Sequence, residues 1–325
     1  YEDFCKAERA KGAEYIPSYQ TVRRYCEEIR ARNANVKTVL QYGQAGFRHS
    51  GMLKRERDLA SLKVMQLIQG DAHTFDCWVS YRQPNGTVTA IRPYLVGFID
   101  TRSRCLVGWG ICVQPTAEVI KQVLIHMIYK KKDSIIEGVP ETVLIDNGKD
   151  FTAQTLTGRN RKQRFDVDGE IKGFYKSIGI SYDMCALPYT PWTKGQIERL
   201  FGTIIQGFSK RFASYTSTLT GSKTSGKVQK DIKGMLERGE LYTLDEFSEM
   251  FDVYINDVYH MKNHSGLKKQ GEPKPIPIEV YKNAERYIKA APPFEYALSL
   301  LGKSEERTVS NVGIYINNIT YSHEE

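Results

Sequence analysis

The sequence has few of the features that mark a secreted, zinc-binding or membrane protein. Its six cysteines are scattered without a C-x-x-C pair, so they indicate small buried side chains in a reducing compartment rather than disulfides or a zinc site. The two histidines spaced four apart, His260 and His264, lack an accompanying cysteine pair. No apolar run reaches the roughly 18 residues that a membrane span needs, and no signal peptide is visible. We therefore expect a cytoplasmic protein.

Positive charge is what the sequence has in excess. It holds 46 Lys and Arg against 38 Asp and Glu, a net charge of +8. The excess is uneven, since residues 1–60 hold 12 basic against 8 acidic side chains and residues 209–238 hold 7 against 2. Such clustering favours a polyanionic partner, most simply double-stranded DNA, with a solvated basic face as the alternative.

Residues 1–50 are predicted to form a small helical, helix-turn-helix-like domain that binds DNA. Ser18 can cap a helix that starts after Pro17. The apolar stripe of this helix would consist of Val22, Cys26 and Ile29. The candidates for base or phosphate contacts are Gln20, Arg23 and Arg24. A plain amphipathic helix without DNA contacts is the alternative.

After a linker over residues 51–66 the pattern changes to apolar strands. Strands are predicted over residues 62–81, 87–100, 104–113, 141–146 and 179–187. Helices are predicted after Thr116, near 172–177 and over 193–208. Thr193 and Gln196 have the spacing of a capping box for the last of these. The order predicts an α/β core, residues 67–215, built on a mixed sheet with helices against it.

The remaining chain is predicted to carry additions to this core. Residues 216–305 are predicted to form a helical extension and linker, with helices over 244–259 and from Pro277 to about Lys289. Residues 214–228 are rich in Ser, Thr and Gly and indicate a flexible or DNA-tracking loop. Residues 306–325 alternate apolar and polar side chains, which predicts two strands that begin a β-barrel domain.

Three acids occupy positions that this order of elements would bring together. Asp71 lies within an apolar strand, where a charge is costly unless it is paired or binds a metal. Asp146 ends a buried strand, the place where ligand sites gather in open α/β sheets. Glu198 lies near the start of a helix. Three hard oxygen ligands suit Mg²⁺ or Mn²⁺, and two such ions about 3.5–4 Å apart promote phosphoryl displacement.

These motifs resemble the retroviral-integrase superfamily, which has an RNase H-like fold, and within it the Mu-type phage transposases. The segments that carry the resemblance are GDAHTFD, IDNGKDF and GQIERLFG, the last a shorter version of the family's pattern. The resemblance places the family's DDE acids on Asp71, Asp146 and Glu198. It also extends to LTGRNRKQRF, between the second and third acids, and covers roughly residues 15–325.

The resemblance implies a Mg²⁺-dependent transposase that uses two metal ions. Asp71 would bridge both ions, while Asp146 holds one and Glu198 the other. Water would cut each transposon end to free a 3′-hydroxyl, which then attacks target DNA. The implied partners are transposon-end and target DNA and further copies of the chain, and an ATPase that selects targets is left open. Further implied DNA contacts are Lys149, Trp192, Lys194 and Arg199.

The sequence alone leaves alternatives open. Asp76 or Asp100 could be the first acid instead of Asp71, and His73 could line the site or fill the core. Trp192 could be a structural anchor. The protein could instead be an integrase or RNase H-like nuclease without transposition, or a catalytically inactive DNA-binding regulator.

Overall fold

The structure is a computed structural model that describes most of the chain. The described residues are 1–46, 58–129, 131, 134–146, 148, 150–159, 173–186, 194–216, 231–302, 314–316 and 319–321. They form two units, one made by residues 1–46 and one by the others. In this part of the chain, no helix is both long and apolar enough to cross a bilayer.

The first unit contains three helices. They are α1 (Glu2–Ala10), α2 (Tyr19–Arg32) and α3 (Ala34–Gly46). The predicted cap of α2 is confirmed, because Ser18 Oγ accepts a hydrogen bond from the Thr21 N–H at 3.3 Å. The predicted apolar stripe is not buried: Val22 is half-buried, whereas Cys26 and Ile29 are exposed.

The second unit is organised around a five-stranded mixed sheet. Its strands are β1 (Leu67–Thr74), β4 (Tyr94–Asp100), β5 (Leu106–Cys112), β6 (Thr142–Ile145) and β7 (Tyr182–Cys185). They lie in the order β5-β4-β1-β6-β7. The β1–β4 and β4–β5 pairs are antiparallel, and the β1–β6 and β6–β7 pairs are parallel. The predicted mixed sheet of an α/β core is therefore confirmed.

Two of the predicted strands are each broken in two. The first ends at Thr74 and resumes as β2 (Val79–Arg82), which pairs with β3 (Val88–Ile91) in a separate hairpin. The second breaks at Pro93, which has no N–H for a sheet. Arg92 joins both breaks, since its guanidinium donates to Phe75 O at 2.9 Å and to Asp76 Oδ1 at 2.6 Å.

Helices cover both faces of the sheet. They are α4 (Ala117–Ile128), α5 (Gln154–Thr157), α6 (Phe174–Ser177), α7 (Gly195–Gly207), α8 (Ile232–Glu237), α9 (Leu244–Val253), α10 (Ser265–Lys269), α11 (Pro277–Asn283) and α12 (Phe294–Ser299). One core packs α4, α5, α6, α11 and α12 on the sheet, and the other packs α7 and α9. Strand residues alternate between the two cores, as the period of two requires: Val96 and Phe98 enter the first, Leu95 and Ile99 the second.

The predictions for the helices and for the C-terminal strands are partly confirmed. Thr116 caps α4 through a hydrogen bond from the Val119 N–H at 3.3 Å. Residues 244–259 are helical, as predicted, but Tyr254–Tyr259 is a π-helix rather than an α-helix. The strands β8 (Ile314–Ile316) and β9 (Ile319–Tyr321) form an antiparallel pair, and no closed barrel occurs in the described residues.

The helix predicted from Pro277 to about Lys289 ends earlier, at Asn283. The chain turns extended there because it pairs with the segment before β1. Val64 N–H donates to Glu285 O at 2.8 Å, and Tyr287 N–H donates to Val64 O at 2.9 Å. This pairing joins the segment before β1 to the segment after α11.

The glycine that precedes Asp71 is required by close packing. A Cβ at Gly70 would lie 2.5 Å from Cε1 of Phe98, the residue opposite it on β4. We therefore expect Gly70→Ala to lower the free energy of unfolding by about 1–3 kcal/mol, the usual cost of overpacking, measured by urea denaturation.

Gly202→Ala is the matched control. Gly202 lies in α7, and a Cβ added there would meet nothing within 4 Å. This change should raise stability by about 0.5–1 kcal/mol, because alanine favours the helix. Equal effects of the two substitutions would contradict the packing argument.

Candidate functional site

Asp71 and Asp146 occupy neighbouring positions on two parallel strands. The β1–β6 register pairs Leu67 with Thr142 and Gln69 with Leu144. Continued by two residues, the same register sets Asp146, the residue after β6, beside Asp71. Equivalent residues of parallel strands point to the same face of a sheet. If the chain continues in this register past Ile145, Asp71 and Asp146 lie side by side at the carboxyl end of β6, on one face of the sheet.

Gln69 fixes helix α7 to that face. Its side-chain Oε1 accepts from the Ile197 N–H at 3.4 Å, and its Nε2 donates to Gln196 Oε1. The Ile197 N–H is one of the helix N-terminal donors without a partner inside the helix. Gln69 lies two residues before Asp71, so the same strand face that carries the acid also anchors the helix.

The start of α7 differs from the prediction. Its N-cap is Lys194 rather than Thr193, and the Lys194 side chain makes no capping hydrogen bond, as expected of a side chain without an acceptor. Thr193 lies outside the described residues, so the capping box with Gln196 stays a prediction. The predicted apolar face is confirmed at five positions and is half-buried at Ile205. The buried positions are Ile197, Leu200, Phe201, Ile204 and Phe208.

Lys194 reaches Asp71. Its Nζ lies 2.9 Å from Asp71 Oδ2, and the lysine side chain is only 6% exposed against 25% for the aspartate. The contact is an ion pair without good hydrogen-bond alignment, since Lys194 Nζ has no aligned acceptor. Asp71 Oδ1 accepts from the Ala72 N–H at 2.9 Å. The aspartate thus already binds a cation, the ammonium of Lys194.

Glu198 lies on α7 between two residues that contact β1. Lys194 is one turn before it and Phe201 one turn after it, and positions three and four apart share a helix face. Phe201 stacks on His73, with ring centroids 4.9 Å apart at 17°. Glu198 itself is exposed. It is therefore an unshielded carboxylate on the part of α7 that adjoins the aspartate strand.

The His73 side chain packs among core aromatic rings. It packs on Phe201 and Phe75, and burial lowers the pKa of its imidazole, which favours the neutral form. Its Nε2 is buried without a hydrogen-bond partner. The ring therefore acts mainly as an apolar spacer between β1 and α7.

The other candidates for the first acid are bound to structural partners. Asp76 is fully buried and paired with Arg92 at 2.6 Å, in the bend after β1 and not on a strand face as predicted. Asp100 is also fully buried, and it accepts from the N–H groups of Met65 and Ser103 and from Ser103 Oγ. Burial raises the pKa of Asp100 despite these hydrogen bonds. Both carboxylates are buried and hold the backbone or a neighbouring side chain in place. Of the three candidates, Asp71 is therefore the one that solvent can reach.

Chemically, the site contains two aspartates, Asp71 and Asp146, and the charge of Asp71 is partly neutralised by Lys194. Asp71 and Asp146 provide hard oxygen donors of the kind that Mg²⁺ and Mn²⁺ prefer. However, no three His, Cys, Asp or Glu side chains among the described residues are grouped so that they could hold a metal ion. A third carboxylate would have to approach the two aspartates, and Glu198 is the exposed acid carried nearest to them by α7.

The predicted DNA contacts fall into three groups. Lys149 and Trp192 lie outside the described residues, as does Asn147 beside Asp146. Arg199 is exposed on α7. Gln20, Arg23 and Arg24 are exposed on α2, where Arg23 pairs with Glu27 at 2.8 Å. The loop residues 217–228 and the motif residues 160–165 also lie outside the described residues.

His260 and His264 serve as hydrogen-bond acceptors. His260 Nε2 accepts from the Leu106 N–H at 3.2 Å, and His264 Nδ1 accepts from the Gly266 N–H at 3.1 Å. Burial lowers the pKa of each to about 4, so both are neutral at physiological pH. They stabilise the backbone around β5 and α10.

Sequence reasoning missed the role of Gln69 and gave Lys194 a different one. The signal for Gln69 was available, because a polar side chain two residues before Asp71 must share its strand face. The partner of Lys194 could not be read from the sequence, since Asp71 lies more than a hundred residues away.

The Asp76–Arg92 ion pair should carry a large share of local stability. Arg92→Met would leave a fully buried carboxylate without a cation, which typically costs about 3–5 kcal/mol. We expect that loss in the free energy of unfolding from urea denaturation. Arg238→Met, which breaks an exposed pair with Glu240, is the control and should change nothing measurable. An Arg92 variant as stable as this control would show that water replaces the guanidinium.

Comparison with known proteins bears on the segment that holds these acids. No curated protein matches the chain. Residues 69–213 match the family model described as the TnsB C-terminal domain. The match starts at Gln69 and contains Asp71, Asp146 and Glu198, but it covers less than half of the chain and names no Mu-type family. It indicates a family related to Tn7-type transposases, with a transposase-related role in DNA binding or transposition.

Proposed function

We propose that this protein is a DNA transposase, a metal-dependent DDE polynucleotidyl transferase whose acids are Asp71, Asp146 and Glu198. The observation that supports the proposal is the β1–β6 register, which would set Asp146 beside Asp71 when it is continued by two residues. Gln69 of the same strand anchors α7, the helix that bears Glu198. The family match over residues 69–213 supports the same reaction class. Net positive charge supports a DNA substrate.

The described architecture is compatible with an RNase H-like core. Three antiparallel strands, a helix and two parallel strands follow one another in the chain, and the sheet order is β5-β4-β1-β6-β7. We retain the Mu-type relationship, and a β-barrel begun by β8 and β9, as predictions within this proposal. The helical domain of residues 1–50 would bind the transposon ends.

The proposed reaction has two phosphoryl transfers. Water attacks the phosphodiester at each transposon end, and the bond between phosphorus and the 3′ oxygen of that end breaks. This leaves a 3′-hydroxyl on the transposon end and a 5′-phosphate on the flanking strand. That hydroxyl then attacks a phosphodiester of target DNA and displaces a second 3′-hydroxyl. Each step exchanges one P–O bond for another, so neither ATP nor a covalent enzyme intermediate is required.

The acids would hold two Mg²⁺ or Mn²⁺ ions. Bound there, such ions lower the pKa of an attacking water and stabilise the leaving oxygen. Asp71 and Asp146 would provide the fixed ligands because strands hold them in register. Glu198 would complete the set from α7, and Lys194, whose Nζ lies 2.9 Å from Asp71 Oδ2, would compete with the ions for that carboxylate.

Partners follow from the reaction rather than from a contact surface. Two transposon ends must be cut and joined together, which calls for several copies of the chain on DNA. The proposed partners are therefore double-stranded DNA at the transposon ends and at the target, and a homo-oligomer. An ATPase that selects targets stays a prediction.

A DNA-binding regulator without catalysis is the second candidate. The observation in its favour is the ion pair between Lys194 and Asp71, which neutralises an acid that catalysis would need. A lysine that stayed on Asp71 in the presence of divalent ions would keep the site inactive.

Asp146→Asn distinguishes the two candidates. If the protein is a transposase, this change should abolish Mg²⁺-dependent nicking of end DNA, because the amide cannot replace an anionic ligand, while DNA binding stays nearly unchanged. Asp150→Asn is the matched control, since Asp150 is also exposed and lies four residues later, and it should keep nicking activity. Nicking that survives Asp146→Asn would remove the catalytic assignment.

Lys194→Met tests whether the lysine competes with the ions. A positive charge 2.9 Å from Asp71 Oδ2 opposes a divalent cation. Its removal should tighten Mn²⁺ binding at least about tenfold, equivalent to about 1.4 kcal/mol, measured by electron paramagnetic resonance of free Mn²⁺ without DNA.

The control for this substitution is Lys210→Met, which removes an exposed lysine just beyond the other end of α7. It should leave Mn²⁺ affinity unchanged. Unchanged or weaker Mn²⁺ binding by Lys194→Met would mean that Lys194 organises Asp71 instead of competing for it.

A further inference from the structure

A groove runs along α7. Its volume is about 640 Å³, and it lies between α7 and the π-helix Tyr254–Tyr259. The two elements approach closely at Gly207, where a Cβ would lie 2.4 Å from Tyr254 Oη. Both residues line the groove, and their close approach depends on the absence of a side chain at Gly207.

The groove is positively charged. Arg199, Arg211 and Lys262 line it, and all three are exposed. None of them is within 4.0 Å of a carboxylate in the described residues. Three cations without acidic partners on one concave surface give it a strongly positive potential.

A fourth cation, Arg104, lies behind the wall of the groove. The residue is only 5% exposed, and neither Nε nor Nη1 has a hydrogen-bond partner. Its backbone has φ of 66°, uncommon for a residue with a side chain. Tyr259, a residue of the groove wall, donates its hydroxyl proton to Arg104 O at 2.9 Å.

Arg104 and Arg199 act on the same region. The pKa of the His264 imidazole is lowered first by burial and then by the charges of these two arginines. A guanidinium remains protonated in proteins, and leaving its donors buried and unpaired is costly. The negative charge of the buried Asp100 offsets part of this cost, and an anion in the groove would offset more of it.

We propose that this groove binds the phosphodiester backbone of DNA, with Arg199, Arg211 and Lys262 in contact with phosphates and Arg104 adding positive potential from behind. The proposal rests on the proposed function only in that DNA is the substrate. Arg199 and Gln206 of the groove lie seven residues apart on α7, about 10 Å along the helix, which allows contact with more than one phosphate. Arg199 also follows Glu198 directly, so the track would lead DNA to the acids.

An acidic protein segment is the competing ligand. DNA is favoured because the groove is open along a helix, and because guanidinium groups bind phosphate oxygens in a bidentate manner. The sequence also carries further basic clusters, in keeping with contacts along an extended polyanion.

The test is the double variant Arg211→Gln/Lys262→Gln in the full chain. Binding of fluorescent random-sequence duplex and single-stranded DNA is measured by anisotropy over a series of salt concentrations. Each lost phosphate contact lowers the slope of log K against log [salt] by about one, so we expect the slope to fall by about two. Loss on the duplex assigns the groove to duplex DNA, and loss only on the single strand assigns it to an unpaired strand; either supports a backbone track.

The matched control is Lys282→Gln/Lys289→Gln, which removes two exposed lysines that lie outside the groove and outside the basic cluster of residues 209–238. It should bind DNA as the unaltered chain does. Equal slopes for the groove and control variants would overturn the proposal. So would a groove variant that binds polyglutamate more weakly but DNA normally.

The outcome is independent of catalysis. Absence of Mg²⁺-dependent nicking by the unaltered chain would overturn the proposed transposase activity, while a changed salt slope would still establish the groove. Conversely, nicking with an unchanged slope would leave the transposase assignment and remove the groove.

Discussion

The side chain of Gln69 decides where the first turn of α7 lies. It satisfies a helix N-terminal donor, the Ile197 N–H, from within a central strand, and an unsatisfied donor there would be costly. Because this anchor lies two residues from Asp71, the position of the helix and the position of the acid are set together. The same contact therefore also fixes the helix that carries Glu198 and the α7 residues that line the basic groove.

The elements that carry Asp71, Asp146 and Glu198 could largely be predicted from local sequence patterns. A strand interrupted by an aspartate, a short buried strand that ends in Asp146 and an amphipathic helix that carries Glu198 each depend on residues close in sequence. Alternation along β1 also separates Asp71 from its buried neighbours. These patterns follow from backbone periodicity, which is why the mixed sheet and the order of elements were predictable.

Contacts between distant residues were not predictable in the same way. A lysine such as Lys194 is a typical DNA-contacting residue, yet its ammonium group lies against Asp71. Arg92 fixes the break after β1 by pairing with Asp76, and the residues around Asp76 in the sequence do not indicate this pairing. Arg104 likewise resembles an ordinary turn residue. Each of these side chains finds its role only when the sheet and helices pack together, because long charged side chains can reach many partners.

The segment that matches the known family is smaller than the unit that folds. Phe247 and Phe251 of α9 are fully buried against α7, and Tyr281 enters the opposite core. The strand-like pairing of Val64 with residues 285–287 joins the beginning of this unit to its end. A fragment cut at residues 69 and 213 would expose both cores and separate that pair, so an excised fragment that keeps this unit intact should run from about Asp58 to Gly302.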